Sequence, residues 1–426
     1  MPGKILSLFS LVGCMLAADR VDVARSLRER TGHSLSEASK KPPLPPGVSL
    51  DRKLSPGDCV AIALWNNAQL EADLAALNVA DADLTDARRI RDPILQMVFP
   101  AGPKRFELLF VQPIELLWQR PRRIRAATLN MDQLAQSLVQ NGLNLARDVK
   151  VAYADLLLAE QRTGISAASA ELRRRIVELS RRRLAAGDIN SADVKLLEID
   201  AETASVQAAV FQAGRKTAEE RLRMLMGLRG SILPLSLEPP PLPSSKAEAT
   251  IEMAFESRPD LKAAQLSIEA ARLRAGLERW RPLTLSPGIS VKGSGRDPIR
   301  TGPSLFADVP ATNRNAGGKQ RADAEVLRAE ANLAALRDRV EADLRMARAL
   351  LEEAATNLER LRNDLLPAIR ASVELAEKSF RLGDISRLNV LEVTRQLYDV
   401  ELRESEAVAA YHRALAEIER SVGRNL

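Results

Sequence analysis

Residues 333–365 have the sequence LAALRDRVEADLRMARALLEEAATNLERLRNDL, and this stretch decides the fold. Its apolar side chains recur by steps of three and four and one step of seven, at Leu333, Leu336, Val340, Leu344, Ala347, Leu351, Leu358, Leu361 and Leu365. This heptad spacing predicts a long helix that packs against other helices as in a coiled coil. An earlier stretch repeats the spacing, at Leu134, Leu138, Leu145, Val149, Ala152 and Leu156.

Both stretches belong to helices of unusual predicted length. We expect helix over about residues 122–186 and again over about residues 318–382. At 1.5 Å per residue each helix is on the order of 90–100 Å long. Pro367 predicts a kink in the second helix, and the equivalent Glu171 predicts a straighter first one.

Each long helix ends at the same short motif. Gly187-Asp188-Ile189 follows the first helix, and Gly383-Asp384-Ile385 follows the second. Glycine is a common helix stop, and each motif is followed by a further helical pattern, over Ser191–Leu225 and over Ser386–Val422. The chain is therefore expected to form two antiparallel helical hairpins.

The two motifs lie 196 residues apart, and other pairs share this offset. These pairs are Met226-Gly227 with Val422-Gly423, Leu109-Phe110 with Leu305-Phe306, and Arg125-Ala126 with Arg321-Ala322. Ala63–Leu70 resembles Ala254–Leu261 at an offset of 191, which places a small insertion or deletion between these points. A shared register over such a distance predicts a tandem duplication.

A proline-rich stretch at Lys41–Gly47 separates an N-terminal segment from repeat 1, and another at Glu238–Ser245 separates the two repeats. Both are expected to be extended linkers, since proline restricts its neighbours and removes backbone donors. The expected organisation has five parts. They are a signal peptide (1–13), an N-terminal segment with a proline-rich linker (14–54), repeat 1 (55–237), a second linker (238–249) and repeat 2 (250–426).

Short segments between the helices have the character of strands. They are Ile94–Phe99, Arg105–Ile114, Thr284–Lys292 and Ser304–Val309, with loops at Pro100–Lys104 and Gly293–Gly302. Four strands are too few to close a barrel, and unpaired edges are a hazard in water and forbidden in lipid. Any barrel must therefore be completed by several chains.

The first residues carry an export signal. A short positive start, Met1–Lys4, precedes an apolar run, Ile5–Val12, that is too short to span a membrane. Leu11-Val12-Gly13-Cys14 resembles a lipoprotein lipobox, which makes Cys14 the expected lipid-attachment residue; the alternative is ordinary cleavage near Ala17-Ala18. Lipidation of Cys14 would leave Cys59 without an intramolecular disulfide partner.

Composition argues against several classes of protein. With only two Cys and two His in 426 residues, we expect no metal site, and no phosphate loop, HExxH motif or nucleophile elbow predicts a cofactor or a catalytic residue. The net charge is +6, but the basic residues are interleaved with acidic ones, as on solvated helix faces. We therefore expect no nucleic-acid partner.

The export signal, the tandem repeats, two strands per repeat and the long hairpins together resemble the TolC-like outer-membrane efflux family. The repeat openings at Ala61–Leu70 and Met253–Leu261 are similar to the helix start of this family, which has an Asn-Pro-x-Leu step. Ala68 replaces the proline in the first copy, and Arg258 replaces the asparagine in the second.

Two junctions resemble the heavy-metal branch of that family, which handles cobalt, zinc and cadmium. Val111–Leu116, followed by Arg120–Arg125, is similar to its first strand-to-helix junction. Leu117 and Trp118 stand where that branch usually has two glycines. Val309-Pro310 with Asn313–Gly317 resembles its second junction.

The resemblance implies a mainly α fold with a small β part. Long antiparallel α-helical hairpins and four β-strands per protomer would complete a trimeric β-barrel and an α-helical barrel. It implies a passive homotrimeric conduit, lipid-anchored in the outer membrane of a Gram-negative bacterium with its helices in the periplasm. Its partners would be a periplasmic adaptor and an inner-membrane pump for heavy metals or drugs.

The resemblance also implies two kinds of site. The adaptor would dock at the hairpin tips, Gly187-Asp188 and Gly383-Asp384. Acidic residues of the second repeat would form a ring that narrows the pore; here Asn389 replaces an acid, so the ring would rest on Glu392, with Asp193 as a contributor. The alternative is that Asp193 stabilises its helix N-terminus and that Glu392 is a solvated surface residue.

A second class of protein fits part of the pattern. A periplasmic coiled-coil adaptor, or a structural protein without a channel, would also have long helices and an export signal. Adaptors carry one hairpin between small β domains, whereas this sequence predicts two equivalent hairpins after two strand pairs. Membrane fractionation separates the two hypotheses.

Overall fold

A computed structural model describes residues 18–35, 44–90, 92–99, 104–114, 116–228, 235–241, 249–280, 284–294, 297–308 and 314–425. The helices and strands are α1 Arg20–Thr31, α2 Pro56–Asn66, α3 Ala68–Arg88, β1 Ile94–Val98, β2 Lys104–Val111, α4 Leu116–Ala185, α5 Ser191–Met226, α6 Ile251–Ser257, α7 Pro259–Trp280, β3 Thr284–Ser294, β4 Asp297–Asp308, α8 Ala316–Arg360, α9 Leu366–Leu382 and α10 Arg387–Val422. A π-helical segment, Leu361–Leu365, joins α8 to α9. The expected mainly α fold with four strands is confirmed.

The chain divides into two compact units. The first comprises Met1–Ala24, Ala72–Val139 and Pro259–Asp338, and it contains the sheet. The second comprises Arg25–Glu71, Gln140–Arg258 and Arg339–Leu426, and it contains both hairpin turns. Within the described residues, no helix is both long enough and apolar enough to cross a membrane.

The four strands form one antiparallel sheet in the order β1-β2-β3-β4. The loop expected at Gly293–Gly302 is wrong, because β4 already begins at Asp297, which pairs with Ser294. Pro298 and Pro303 suggest a loop in sequence. They are tolerated here because β4 is an edge strand of this sheet, where a missing backbone donor costs little.

The first long helix, α4, is continuous over 70 residues, which corresponds to about 105 Å. It begins at Leu116, earlier than the expected residue 122, and contains Pro121. One missing backbone N–H removes a single hydrogen bond from a helix that packing stabilises along its length. The expectation that this helix runs past Glu171 without a break is confirmed.

The second long helix is interrupted where Pro367 predicted a kink. The irregularity lies just before the proline, where the backbone N–H of Leu366 reaches Leu361 O across a π-helical turn. Pro367 has no N–H to continue the α-helical pattern, and a local wide turn is a common accommodation of such a gap.

Each repeat makes the same kind of contact near its start. In repeat 1 the Asn67 Nδ2 group donates to Leu225 O at 2.9 Å, and in repeat 2 the Arg258 guanidinium donates to Ser421 O at 3.3 Å. Both residues have extended backbone and separate two consecutive helices. Asn67 and Arg258 therefore contact the C-terminal ends of α5 and α10 in equivalent ways. Only Asn67 matches the asparagine of the Asn-Pro-x-Leu step.

The N-terminal segment and the inter-repeat linker meet over α4. Leu54 pairs with Leu237 in a parallel bridge, and Leu54 O also accepts a hydrogen bond from Glu238 N at 3.0 Å. The buried Tyr153 hydroxyl contacts the carbonyl oxygens of Leu54, at 2.8 Å, and of Glu238. One α4 side chain thus holds both connecting segments.

The N-terminal segment contains the short helix α1, whose second half is anchored by side chains. Leu27 packs so closely against Gly142 of α4 that a Cβ there would collide with it. The Arg30 guanidinium donates to Ser257 O at 2.5 Å and to Gly423 O at 2.9 Å. The N-terminal segment therefore contacts the ends of helices from repeat 2.

Replacing Tyr153 with Phe should destabilise the protein by about 0.5–1.5 kcal/mol, because it removes a hydroxyl whose single proton is shared by the carbonyl oxygens of Leu54 and Glu238. The measurement is urea unfolding of the purified protein followed by circular dichroism. Tyr411→Phe in α10 is the matched control and should change stability less. Equal stability of the Tyr153→Phe variant and the wild type would contradict the role assigned to this hydroxyl.

Candidate functional site

The sheet has one strongly apolar face. The strand register aligns Leu95 with Phe110, Phe110 with Ile289, and Ile289 with Pro303. Because side chains alternate along a strand, the apolar residues of this face are Leu95, Met97, Phe106, Leu108, Phe110, Ile289, Val291, Ile299 and Leu305. Leu95 is 62 % exposed and Leu305 65 %, so this apolar surface is open in the single chain.

The opposite face carries most of the polar side chains of the sheet, interspersed with Ile94, Val98, Leu109, Val111 and Phe306. The polar residues are Gln96, Glu107, Ser286, Ser290, Lys292, Arg300 and Ser304. An ion pair of 3.1 Å joins Lys292 Nζ to Glu107 Oε1 across β2 and β3. A sheet with these two faces can separate lipid from water.

Sequence reasoning did not assign these faces. The alternation is clear in the sequence of β2, at Phe106, Leu108 and Phe110, and in β3, at Ile289 and Val291. In β4 the prolines and Gly302 obscured it, although Ile299 and Leu305 keep the period of two. Strand pairing was needed to align the four strands.

Both hairpin turns are built in the same way. Gly187 N–H donates to Leu184 O at 3.0 Å, and Asp188 N–H donates to Arg183 O at 2.9 Å. Gly383 N–H to Phe380 O and Asp384 N–H to Ser379 O repeat this Schellman pattern at 3.0 Å each. The φ angles of Gly187 and Gly383 are 81° and 87°, which favour glycine at both turns. Gly187, Asp188, Gly383 and Asp384 are all exposed.

Next to the turns, side-chain caps start the return helices. The Asn190 side chain accepts a hydrogen bond from Asp193 N at 2.8 Å, and Ser386 Oγ accepts one from Asn389 N at 3.4 Å. Asp193 and Asn389 therefore occupy the same position in the first turns of α5 and α10, and both are exposed. The predicted equivalence at an offset of 196 is present in the structure.

An apolar cluster joins the two hairpins close to their turns. Leu172 and Ile176 of α4 pack with Leu391 of α10, and all three are buried. Leu179, Leu197, Leu388 and Tyr398 cover the cluster. The first turns of α5 and α10 are thereby fixed against the end of α4.

A chain of charges of alternating sign crosses the same three helices. Arg173 of α4 lies 3.1 Å from Asp200 of α5, which lies 3.9 Å from Arg395 of α10. Arg395 in turn bonds Glu392 at 2.5 Å. Closer to the first turn, Lys195 and Arg181 donate to the Glu198 carboxylate and lower its pKa. Glu198, Asp200 and Glu392 therefore each have a basic partner in the same chain.

Comparison with known proteins decides the family. The sequence profile described as outer membrane efflux protein matches residues 104–228 and 250–424, one segment in each repeat. The chain belongs to the outer membrane efflux protein family. This confirms the resemblance that the sequence predicted.

A curated relative and two solved structures agree. The cobalt-zinc-cadmium resistance protein CzcC of Cupriavidus metallidurans is 24 % identical over 377 residues, which cover 86 % of this chain and 89 % of the relative. The CmeC outer membrane channel of Campylobacter jejuni superposes with a TM-score of 0.72 at 13 % identity, covering 87 % and 86 % of the two chains. VceC of Vibrio cholerae gives 0.69 at 17 % identity, covering 87 % and 96 %.

Membership in the outer membrane efflux family makes this chain an outer-membrane channel component and not an enzyme. The amphipathic sheet and the two hairpins are the parts that such a component needs. The expected lipid-attachment residue, Cys14, lies outside the described residues. Cys59 is fully buried, and burial raises the pKa of its thiol to about 12, so this thiol stays protonated and unreactive.

The pore-narrowing ring of Asp193, Asn389 and Glu392 stays a prediction, which the structure makes more specific. Asp193 is an acidic residue in the first turn of α5, as expected if it stabilises the N-terminus of that helix. Glu392 is half-buried, and its carboxylate is bonded to Arg395 of the same helix. A ring of three Glu392 side chains would therefore have a basic partner beside each acid, and its charge would depend on Arg395.

We predict that Arg395→Gln weakens the packing of α5 and α10 near the hairpin turns, because the variant loses its contacts with both Asp200 and Glu392. Exposed ion pairs contribute about 0.2–1 kcal/mol each, so the open probability in planar bilayers should rise roughly two- to tenfold. Arg381→Gln is the control, since Arg381 pairs only within α9, with Glu377 at 3.6 Å.

The same recordings test the acidic ring. If Glu392 faces the pore, Arg395→Gln should also raise cation selectivity, and the double variant Arg395→Gln/Glu392→Gln should lose that increase. Asp193→Asn should lower cation selectivity if Asp193 contributes. Selectivity that stays constant in all three variants would exclude the ring.

Proposed function

We propose that three copies of this chain form a passive conduit for efflux through the outer membrane and across the periplasm. The observation that carries the proposal is the four-stranded sheet, with one apolar face, one polar face and two open edges. Three copies would supply twelve strands. Pairing β4 of one copy with β1 of the next would satisfy both edges and give a closed barrel with its apolar face toward lipid.

The helices support the same assembly. Large apolar side chains are exposed along α5 and α8, at Leu196, Ile199, Val206, Val210, Leu327, Met346 and Leu350. A soluble monomer rarely exposes so many, and neighbouring helices from other copies would cover them. An α4 of about 105 Å is long enough for a helical barrel that crosses much of the periplasm.

The cargo is proposed from the relatives. CzcC is described as a cobalt-zinc-cadmium resistance protein and covers most of this chain. We infer a metal-efflux system, with an inner-membrane pump that selects the cargo and supplies the energy. A drug-exporting pump is the second candidate, and identifying the pump encoded beside this chain separates the two.

The assembly is tested in membranes of cells that produce the protein. We expect the chain in the outer-membrane fraction as trimers that dissociate on heating, and conducting channels after reconstitution in planar bilayers. Labelled palmitate should be incorporated into the wild type and not into Cys14→Ser, since the Cys14 thiol is the proposed lipid-attachment site. A monomer in the periplasmic fraction would instead favour the adaptor or structural hypothesis.

The exposed turns are the proposed docking sites for the periplasmic adaptor. Cysteines introduced at Ala186 and Leu382, next to Gly187 and Gly383, should form crosslinks to the adaptor hairpin, because both positions are exposed at the ends of long helices. A cysteine at Val210, in the middle of α5, is the control and should not crosslink to the adaptor. Crosslinks from the turns to outer-membrane components alone would contradict this orientation.

A further inference from the structure

One row of the sheet concentrates charge on the polar face. The register aligns Val98 with Glu107, Glu107 with Lys292, and Lys292 with Arg300. The two other polar-face rows that cross all four strands pair Ile94, Val111, Gly288 and Ser304, and Gln96, Leu109, Ser290 and Gly302. Among these three rows the charged residues all lie in the first; at the other end of the sheet, between β3 and β4 alone, Thr284 pairs with Asp308.

The Glu107 row lies near the end of the sheet that carries the loops. Val98 is the last residue of β1, and Lys292 is two residues before the end of β3, within about 7 Å of it along the strand. The helices α3, α4, α7 and α8 are connected to the opposite ends of the strands. In the proposed channel, the row therefore lies at the outer mouth, away from the helices.

The charges in the row do not cancel. Lys292 and Arg300 supply two positive charges, and Glu107 supplies one negative charge, which is bonded to Lys292 at 3.1 Å. Arg300 is exposed on the edge strand β4. If the barrel closes as proposed, each copy contributes this excess of positive charge to one level of the lumen.

We propose that Glu107, Lys292 and Arg300 form a positive ring at the outer mouth that favours anions over cations. This inference rests on the trimeric channel proposed above. A ring of one sign inside a narrow pore with low-dielectric walls focuses its potential on passing ions. Such a ring slows cations equally in both directions, so it would set the ion selectivity of the channel and not the direction of transport.

The test is the reversal potential of reconstituted channels in a gradient of KCl. Arg300→Gln should lower the anion-to-cation permeability ratio roughly two- to fivefold, and Glu107→Gln should raise it by a similar factor. Thr301→Ala is the matched control, because Thr301 is adjacent to Arg300 but lies on the apolar face. Shifts of opposite sign distinguish an electrostatic role from a general disturbance of the sheet.

Chemical modification of one cysteine variant tests the same charge, because both charge states are then compared in a single folded protein. Arg300→Cys channels treated with a negatively charged methanethiosulfonate reagent should become more cation-selective, and a positively charged reagent should restore the preference for anions. The wild type, whose Cys59 is buried, should respond to neither reagent.

Two failures can be told apart. Wild-type protein that forms no conducting channel would contradict the proposed function and the ring together. Channels that conduct normally, but whose permeability ratio is unchanged or shifts in the same direction in Arg300→Gln and Glu107→Gln, would overturn the ring alone. A lack of response of Arg300→Cys channels to both reagents would also overturn it.

Discussion

The unpaired backbone at the two edges of the sheet is the constraint on which the rest of the molecule depends. In lipid, each unsatisfied N–H or C=O group costs several kcal/mol, so a four-stranded sheet cannot be stable there alone. Its apolar face, with Leu95, Phe110 and Leu305 exposed, is equally unsuited to water. Both problems are solved by one arrangement, in which further copies pair with β1 and β4 and lipid covers the apolar side.

The helical part has a related requirement. An amphipathic helix of 70 residues presents its apolar side chains along its whole length, and one chain covers only part of them. The two hairpins bury part of each other's apolar surface in the cluster of Leu172, Ile176 and Leu391. Exposed residues such as Leu196 and Met346 are left for neighbouring copies. Ion pairs near the turns, from Arg173 to Glu392, add contacts whose individual contributions are small.

The duplication explains why the connecting segments are so tightly held. Two similar repeats need a fixed relation to each other within the hairpin unit, and Tyr153 holds the N-terminal segment and the linker together over α4. The repeats are alike in backbone and different in side chains. Asn67 and Arg258 make the same contact with different groups, and Asp193 and Asn389 share a position but not a charge. The two hairpins thus have similar backbone turns and caps, while the side chains at equivalent positions differ.

The sequence by itself determined the long helices and the turns at Gly187 and Gly383, because these depend on local periodicity and on glycine geometry, and its motifs indicated the family. It began β4 at Ser304 instead of Asp297, because proline and glycine signal a loop unless strand pairing shows that they lie in a sheet. Only the tertiary structure decided that Glu107, Lys292 and Arg300 share one row, and that Arg395 holds both Glu392 and Asp200. Glu107 is far from Lys292 and Arg300 in the chain, and Asp200 is far from Arg395, so only the strand register and the helix packing bring them together.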